Sequence, residues 1–204
     1  MAAFSRRESR VRFRHMYGRE YKKEETFYSL KPQLASIDDP IISCSDSYWA
    51  IPYQGGGGPV YVSRLTDYGK VLPECATLNA QKAPVLCTAF SPFHSGLLAT
   101  GSSDCTTAVW NLDLYDSYGD DGAAAAGPLS QGISAAGDTV QPVVSFNTHT
   151  NSVRTCAFHP TVPSMLVTTS LDATVRYFDV NAGSKDLSLV FSFLEYLFPI
   201  NTKH

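Results

Sequence analysis

This chain of 204 residues lacks long apolar runs, sustained helical periodicity and metal-ligand spacing. Leu187 to Ile200 is only 14 residues, broken by Glu195 and Pro199, and too short to cross a bilayer as a helix, so no transmembrane segment is expected. The five cysteines include no C-x-x-C pair and are odd in number. With no secretory signal at the N-terminus, a reducing cytosolic setting is the simpler reading. His94, in the turn after Pro92, and His159, before Pro160, have no second ligand at a metal-binding spacing, which argues against a metal site. G-x-S-x-G, H-E-x-x-H and Walker patterns are missing, and no two carboxylates have a usable spacing, so neither catalysis nor a cofactor is expected. The glycine run Gln54–Gly58 (QGGGG) precedes no Lys-Ser, Lys-Thr or helix start and reads as a turn.

What is present is an internal repeat. Val85–Leu112 (VLCTAFSPFHSGLLATGSSDCTTAVWNL) aligns without a gap on Val153–Val180 (VRTCAFHPTVPSMLVTTSLDATVRYFDV) at an offset of 68. Each copy reads as an alternating strand ending in Ala-Phe, a Pro-containing turn, an apolar strand, a tight turn holding Asp, and a strand closing on an aromatic. That is the pattern of a four-stranded propeller blade. The offset exceeds the roughly 40–45 residues of an ordinary WD-type blade, and the Gly-, Ala-, Ser- and Asp-rich stretch 113–141 accounts for the excess as a loop between the third and fourth strands.

The network usual in such blades joins the turn Asp to a His before the first strand, a Ser or Thr on the second and the aromatic on the third. His149, Thr168, Asp172 and Phe178 match it in the second copy. In the first copy Thr100, Asp104 and Trp110 match, but Gln81 stands near the His position and leaves the network incomplete. A turn Asp accepts backbone N–H groups, so the role expected of these residues is structural.

A weaker blade precedes the repeats, with strands over Ile41–Asp46, Tyr48–Tyr53 and Pro59–Arg64 and a fourth near Ala76–Leu78; alternation in Leu187–Phe193 suits a last, outer strand. The expected organisation is an extension over 1–32, blades over 33–82, 83–147 and 148–193, and a tail over 194–204. The fold class is therefore all-β: a partial propeller of about three four-stranded blades plus an N-terminal extension, not closed, since propellers generally close with four to eight blades. A fragment of a longer propeller is the expected explanation.

Charge is unevenly distributed. Residues 1–31 hold nine Lys or Arg against four Glu, whereas the remainder holds seven basic against fifteen acidic residues. A basic arm on an acidic body suits an acidic partner, although a solvated terminus with no partner would look the same. Nucleic acid is disfavoured, because the basic residues lie in one short arm.

Val11–Gly18 (VRFRHMYG), a Lys- and Glu-rich stretch and Phe27–Pro32 (FYSLKP) resemble the opening of coronins, the actin-binding WD-repeat proteins. The glycine turn, Ala83–Phe90 and Gly101–Trp110 resemble the first and second coronin blades in order. The resemblance covers about Val11 to Val180. It implies a seven-bladed propeller that binds filamentous actin, with a C-terminal coiled coil for oligomerisation. No heptad run occurs here, so that last property does not carry over. By position, Lys31 looks like the family's filament-binding basic residue, with Lys22, Lys23, Arg12 and Arg14 as electrostatic support. Arg12 and Arg14 have a competing role in a strand that pairs with a last blade. The expected function is a non-catalytic actin-filament-binding module involved in actin cytoskeleton organisation; the alternative is a WD-repeat scaffold for another protein. Phosphoinositide headgroups are a further possible partner of the basic arm.

Overall fold

The computed structural model describes residues 20–34, 40–71, 77–113 and 141–182, and the backbone of 191–192. Among these residues the chain is built from strands, with a single 3-10 turn at Lys23–Glu25. Three antiparallel four-stranded sheets lie side by side, each folded from one stretch of sequence. The first contains β2 (Ser43–Cys44), β3 (Tyr48–Pro52), β4 (Val60–Arg64) and β6 (Thr77–Leu78). The second runs β7 (Val85–Phe90), β8 (Leu97–Ser102), β9 (Thr107–Asn111) and β10 (Val144–Phe146). The third runs β11 (Val153–Phe158), β12 (Met165–Ser170), β13 (Thr174–Asp179) and β14 (Phe191–Ser192). The sheets form an open partial propeller, as the repeat predicts.

Repeat symmetry extends to the register. Phe90 pairs with Leu98 and Leu98 with Trp110, just as Phe158 pairs with Leu166 and Leu166 with Phe178. Both inner strands carry an irregularity two residues in, at Val85/Cys87 and Val153/Thr155. The tight turns match too, with Cys105 at φ 70° and Ala173 at φ 60° in equivalent places. That left-handed conformation costs a non-glycine residue about 1 kcal/mol. It is held by the preceding Asp, whose side chain accepts the N–H of Thr106 or Thr174.

Packing between sheets makes the core. Tyr48, Ala50, Val60 and Val62 of the first sheet meet Val85, Leu98, Ala108 and Trp110 of the second. Cys87, Ala99, Val109 and Phe146 of the second meet Val153, Cys156, Leu166 and Phe178 of the third. Small residues on the far face of the second sheet let the third approach closely: a Cβ on Gly101 would stand 2.5 Å from Cys87 Sγ and 2.7 Å from Val153 Cγ1.

The described part of the N-terminal extension is no free arm. β1 (Phe27–Tyr28) pairs in parallel with β5 (Gly69–Lys70), and Pro32 bridges to Tyr53. Phe27 and Leu30 pack on the outer face of the first sheet, over Trp49, Ile51, Tyr53, Tyr61 and Val71. The Phe27 and Trp49 rings are 4.8 Å apart. Beyond Leu30 the chain lies antiparallel to the end of β3, with Gln33 N–H donating to the Pro52 carbonyl (3.0 Å) and Gln54 N–H to that of Lys31 (2.9 Å). The extension therefore crosses the first sheet and ends on its inner edge, in line with β2.

Candidate functional site: a cationic rim at the glycine turn

The tight turn of each repeat lies at the same end of its sheet as the loop leading into it. In the second copy His149 N δ1–H donates to Asp172 Oδ2 (2.9 Å), and the Thr168 hydroxyl donates to His149 Nε2 (2.8 Å). Asp172 also accepts the N–H groups of Thr150 (3.1 Å) and Thr174 (2.9 Å) and the Thr174 hydroxyl (2.6 Å). Burial opposes the Asp172 charge, yet these donors outweigh it and hold the carboxyl far below its usual range. Burial is also the main influence on His149, lowering its pKa and favouring the neutral ring, against the pull of Asp172.

In the first copy Gln81 lies 68 residues before His149 and takes the imidazole's place. Its Oε1 accepts the Thr100 hydroxyl (3.0 Å), and its Nε2 donates to Thr106 Oγ1 (3.2 Å). The Thr106 hydroxyl passes the chain on to Asp104 Oδ1. At the far end Trp110 Nε1–H donates to Thr100 Oγ1 (3.0 Å). The first network is thus continuous, and the glutamine that sequence reading leaves as a gap is its central link. Thr106 and Thr174, which the sequence reading passes over, complete both networks; their common offset of 68 was the available signal. Asp104 is buried enough to raise its pKa, but Thr106, Lys82 and Ser102 donate to it and hold it below the usual value.

Phe178 stands where Trp110 stands and carries no N–H. It stacks instead on Phe146, with ring centroids 4.3 Å apart. The second copy therefore shows that a phenyl ring fits this position. Trp110→Phe should cost about 2 kcal/mol, the sum of one buried hydrogen bond and lost packing. Urea denaturation checks this; an unchanged midpoint would mean that the indole N–H contributes nothing.

The basic residues separate into groups. Lys22 and Lys23 are exposed before β1, at the Gly69 end of the first sheet, where Lys23 Nζ lies 5.0 Å from the Tyr28 ring centroid. Lys31 is exposed at the opposite end, its carbonyl fastened to Gln54 of the glycine turn. Arg12 and Arg14 lie outside the described residues. The turn itself is tied to the second sheet's entry loop: Gly58 N–H donates to the Gln81 carbonyl (3.1 Å), and Asn79 Nδ2 to that of Gly56 (3.4 Å). A Cβ on Gly58 would stand 2.3 Å from the Ala83 carbonyl oxygen, so only glycine fits there.

Among the described residues no three His, Cys, Asp or Glu side chains are placed to hold a metal, and no helix is long and apolar enough to cross a membrane.

Comparison with known proteins adds family context. Residues 6–70 match a domain of unknown function (DUF1899), and 73–111 and 140–179 match the WD domain, G-beta repeat. The coronin-like protein crn1 of Schizosaccharomyces pombe is 25% identical over 87% of this chain and 27% of its own length. The coronin-like protein of Saccharomyces cerevisiae is 26% identical over 87% of this chain and 26% of its own. Villidin of Dictyostelium discoideum is 27% identical over 90% of this chain and 10% of its own. The chain thus spans about a quarter of the yeast relatives. The WD40 domain of Toxoplasma gondii coronin superposes with a TM-score of 0.64 over 81% of this chain and 38% of that one, at 22% identity, which concerns the fold. Extension, repeats and relatives agree: the chain carries a DUF1899 segment followed by WD repeats and is similar over most of its length to the N-terminal portion of coronins.

Proposed function

We propose that this chain is a non-catalytic actin-filament-binding module, acting in the cytoplasm at the actin cytoskeleton. The observation that carries this reading is the placement of Lys31. Two hydrogen bonds, from Gln54 N–H to the Lys31 carbonyl and from Gln33 N–H to the Pro52 carbonyl, fix the backbone at Lys31 and just after it while the residue remains exposed. A preorganised cation of this kind meets an acidic protein surface without the ordering cost of a loose arm. Lys22 and Lys23, at the other end of the sheet, act through the long-range field, which raises the association rate and is screened by salt. The coronin resemblance supplies the filament as the acidic partner.

Lys31→Glu is expected to weaken co-sedimentation with actin filaments about fivefold to tenfold at low ionic strength, since a reversed rim charge is worth on the order of 1 kcal/mol. The same pelleting by both proteins at low and high salt would end the assignment. A WD-repeat scaffold for a different protein is the second reading, favoured by the uncharged turn ends of the third sheet at Thr150, Asn151 and Leu171. Such a scaffold would keep its partner after loss of the Lys31 charge.

A further inference from the structure

We infer that the glycine turn Gln54–Gly58 is the floor of a two-cation docking surface, and that Lys82 is a second contact for the acidic partner, acting together with Lys31. This inference rests on the filament-binding reading and extends it to residues that the coronin-like signature does not contain.

The geometry links the two lysines through one short turn. Lys31 is bonded to its first residue, Gln54 (2.9 Å), and Gly58, its last, is bonded to Gln81, the residue before Lys82. Lys82 is exposed, and its own N–H is anchored on Asp104 Oδ2 (2.7 Å), so its backbone is as firmly placed as that of Lys31. Between them Gln54, Gly55 and Gly56 are exposed, and Gly55 and Gly56 present no side chain. Nothing lies within 4 Å of where a Cβ on Gly56 would stand. Apart from Gln54, the exposed part of the turn between the two lysines therefore offers a flat surface no side chain to meet.

At this end the lysines are more exposed than the carboxylates. Among the described residues the carboxylates of these turns are Asp104 and Asp172, and both face inward. Asp104 accepts from Lys82, Thr106 and, through its acceptor chain, Gln81; Asp172 accepts from His149, Thr150 and Thr174. These donors turn both carboxylates toward the protein, so among the described residues of these turns the exposed charges are those of Lys31 and Lys82. The partner chemistry this fits is a flat, acidic protein surface with carboxylates on either side of a smooth patch.

The test compares Lys82→Glu, Gly56→Glu and Lys31→Glu in filament co-sedimentation and in flotation with phosphoinositide-containing vesicles. Gly56→Glu introduces a carboxylate between the lysines at a position with open space, so its denaturation midpoint should match that of the parent chain and separate docking from folding. Lys82→Glu and Gly56→Glu are each expected to weaken filament binding about threefold to tenfold at low salt, with the loss shrinking as salt rises. Loss confined to Lys31→Glu would overturn this inference and leave the filament reading standing. Parent-like pelleting by all three variants would overturn both. Losses seen with vesicles alone would assign the rim to a lipid surface and overturn it as a filament contact.

Discussion

His149→Ala is expected to cost about 3 kcal/mol of folding stability, whereas His149→Gln should cost less than about 1 kcal/mol. The alanine variant leaves the fully buried Thr168 hydroxyl and an inward-facing carboxylate without their central partner, and buried polar groups stripped of partners cost about 1–3 kcal/mol each. Glutamine already solves this problem in the first copy. There Gln81 accepts from Thr100 and donates to Thr106, and Thr174 stands ready in the same relation to position 149. Urea or thermal denaturation of the two variants measures the difference; equal losses would mean that the network is not what holds the turn.

The same pair of proteins predicts a pH signature. His149 has a folded-state pKa below its unfolded value, so the unfolded chain takes up a proton that the folded chain resists. Stability from the neutral ring is therefore complete above about pH 6.5 and falls as pH drops through the range below it. Asp172 and Asp104 are also depressed, and their contribution holds above about pH 4 and is lost in more acid solution. The parent chain should lose stability in two stages on acidification. His149→Gln should lose the first stage and keep the second. A decline between pH 6.5 and 5 that is unchanged in His149→Gln would assign that titration elsewhere.

Gly101→Ala is the second large effect, expected to cost about 1–3 kcal/mol and Gly101→Val more. Gly101 is buried, one residue before the end of β8, and an added Cβ would overlap both Cys87 Sγ and Val153 Cγ1. Neither can retreat easily, because Cys87 lies in the same sheet and Val153 opens the inner strand of the next. The strand conformation of Gly101 is not left-handed, so the cost arises from space rather than from backbone strain. Position 169, its repeat equivalent, carries Thr and is half-buried. Thr169→Ala should therefore change stability by well under 1 kcal/mol. Denaturant midpoints of the two variants give the comparison; equal effects would show that the second and third sheets do not approach as closely as described.

That contrast marks the boundary between what repeats in sequence and what repeats in space. The constant offset of 68 made the strands of the second and third sheets, their turns and the Asp positions readable in advance, because alternation and turn chemistry are local. The network usual in such blades groups Trp110 with Thr100 and His149 with Thr168 and Asp172, and hydrogen bonds join them here. The weaker first blade was readable as strands, but its inner edge was not. No local pattern announces that Pro32 will lie beside Tyr53, or that Phe27 will cover Trp49, since both contacts join segments about 20 residues apart in sequence.

Gln81 shows the same limit at the level of a single side chain. Its amide serves as both acceptor and donor, so it can replace an imidazole only where a hydroxyl and a threonine converge on it, and that convergence is a property of the packed sheets. The proposed rim is similar: the resemblance points to Lys31 by its place after the signature, while Lys82 carries no motif and is linked to the same glycine turn only through the bond from Gly58 to Gln81. Local periodicity and turn residues determined an all-β chain of repeated four-stranded units. The neighbours across each sheet face, and with them the link of Lys31 and Lys82 to one glycine turn, were decided by tertiary packing, because contacts between distant segments leave no periodic trace in the sequence.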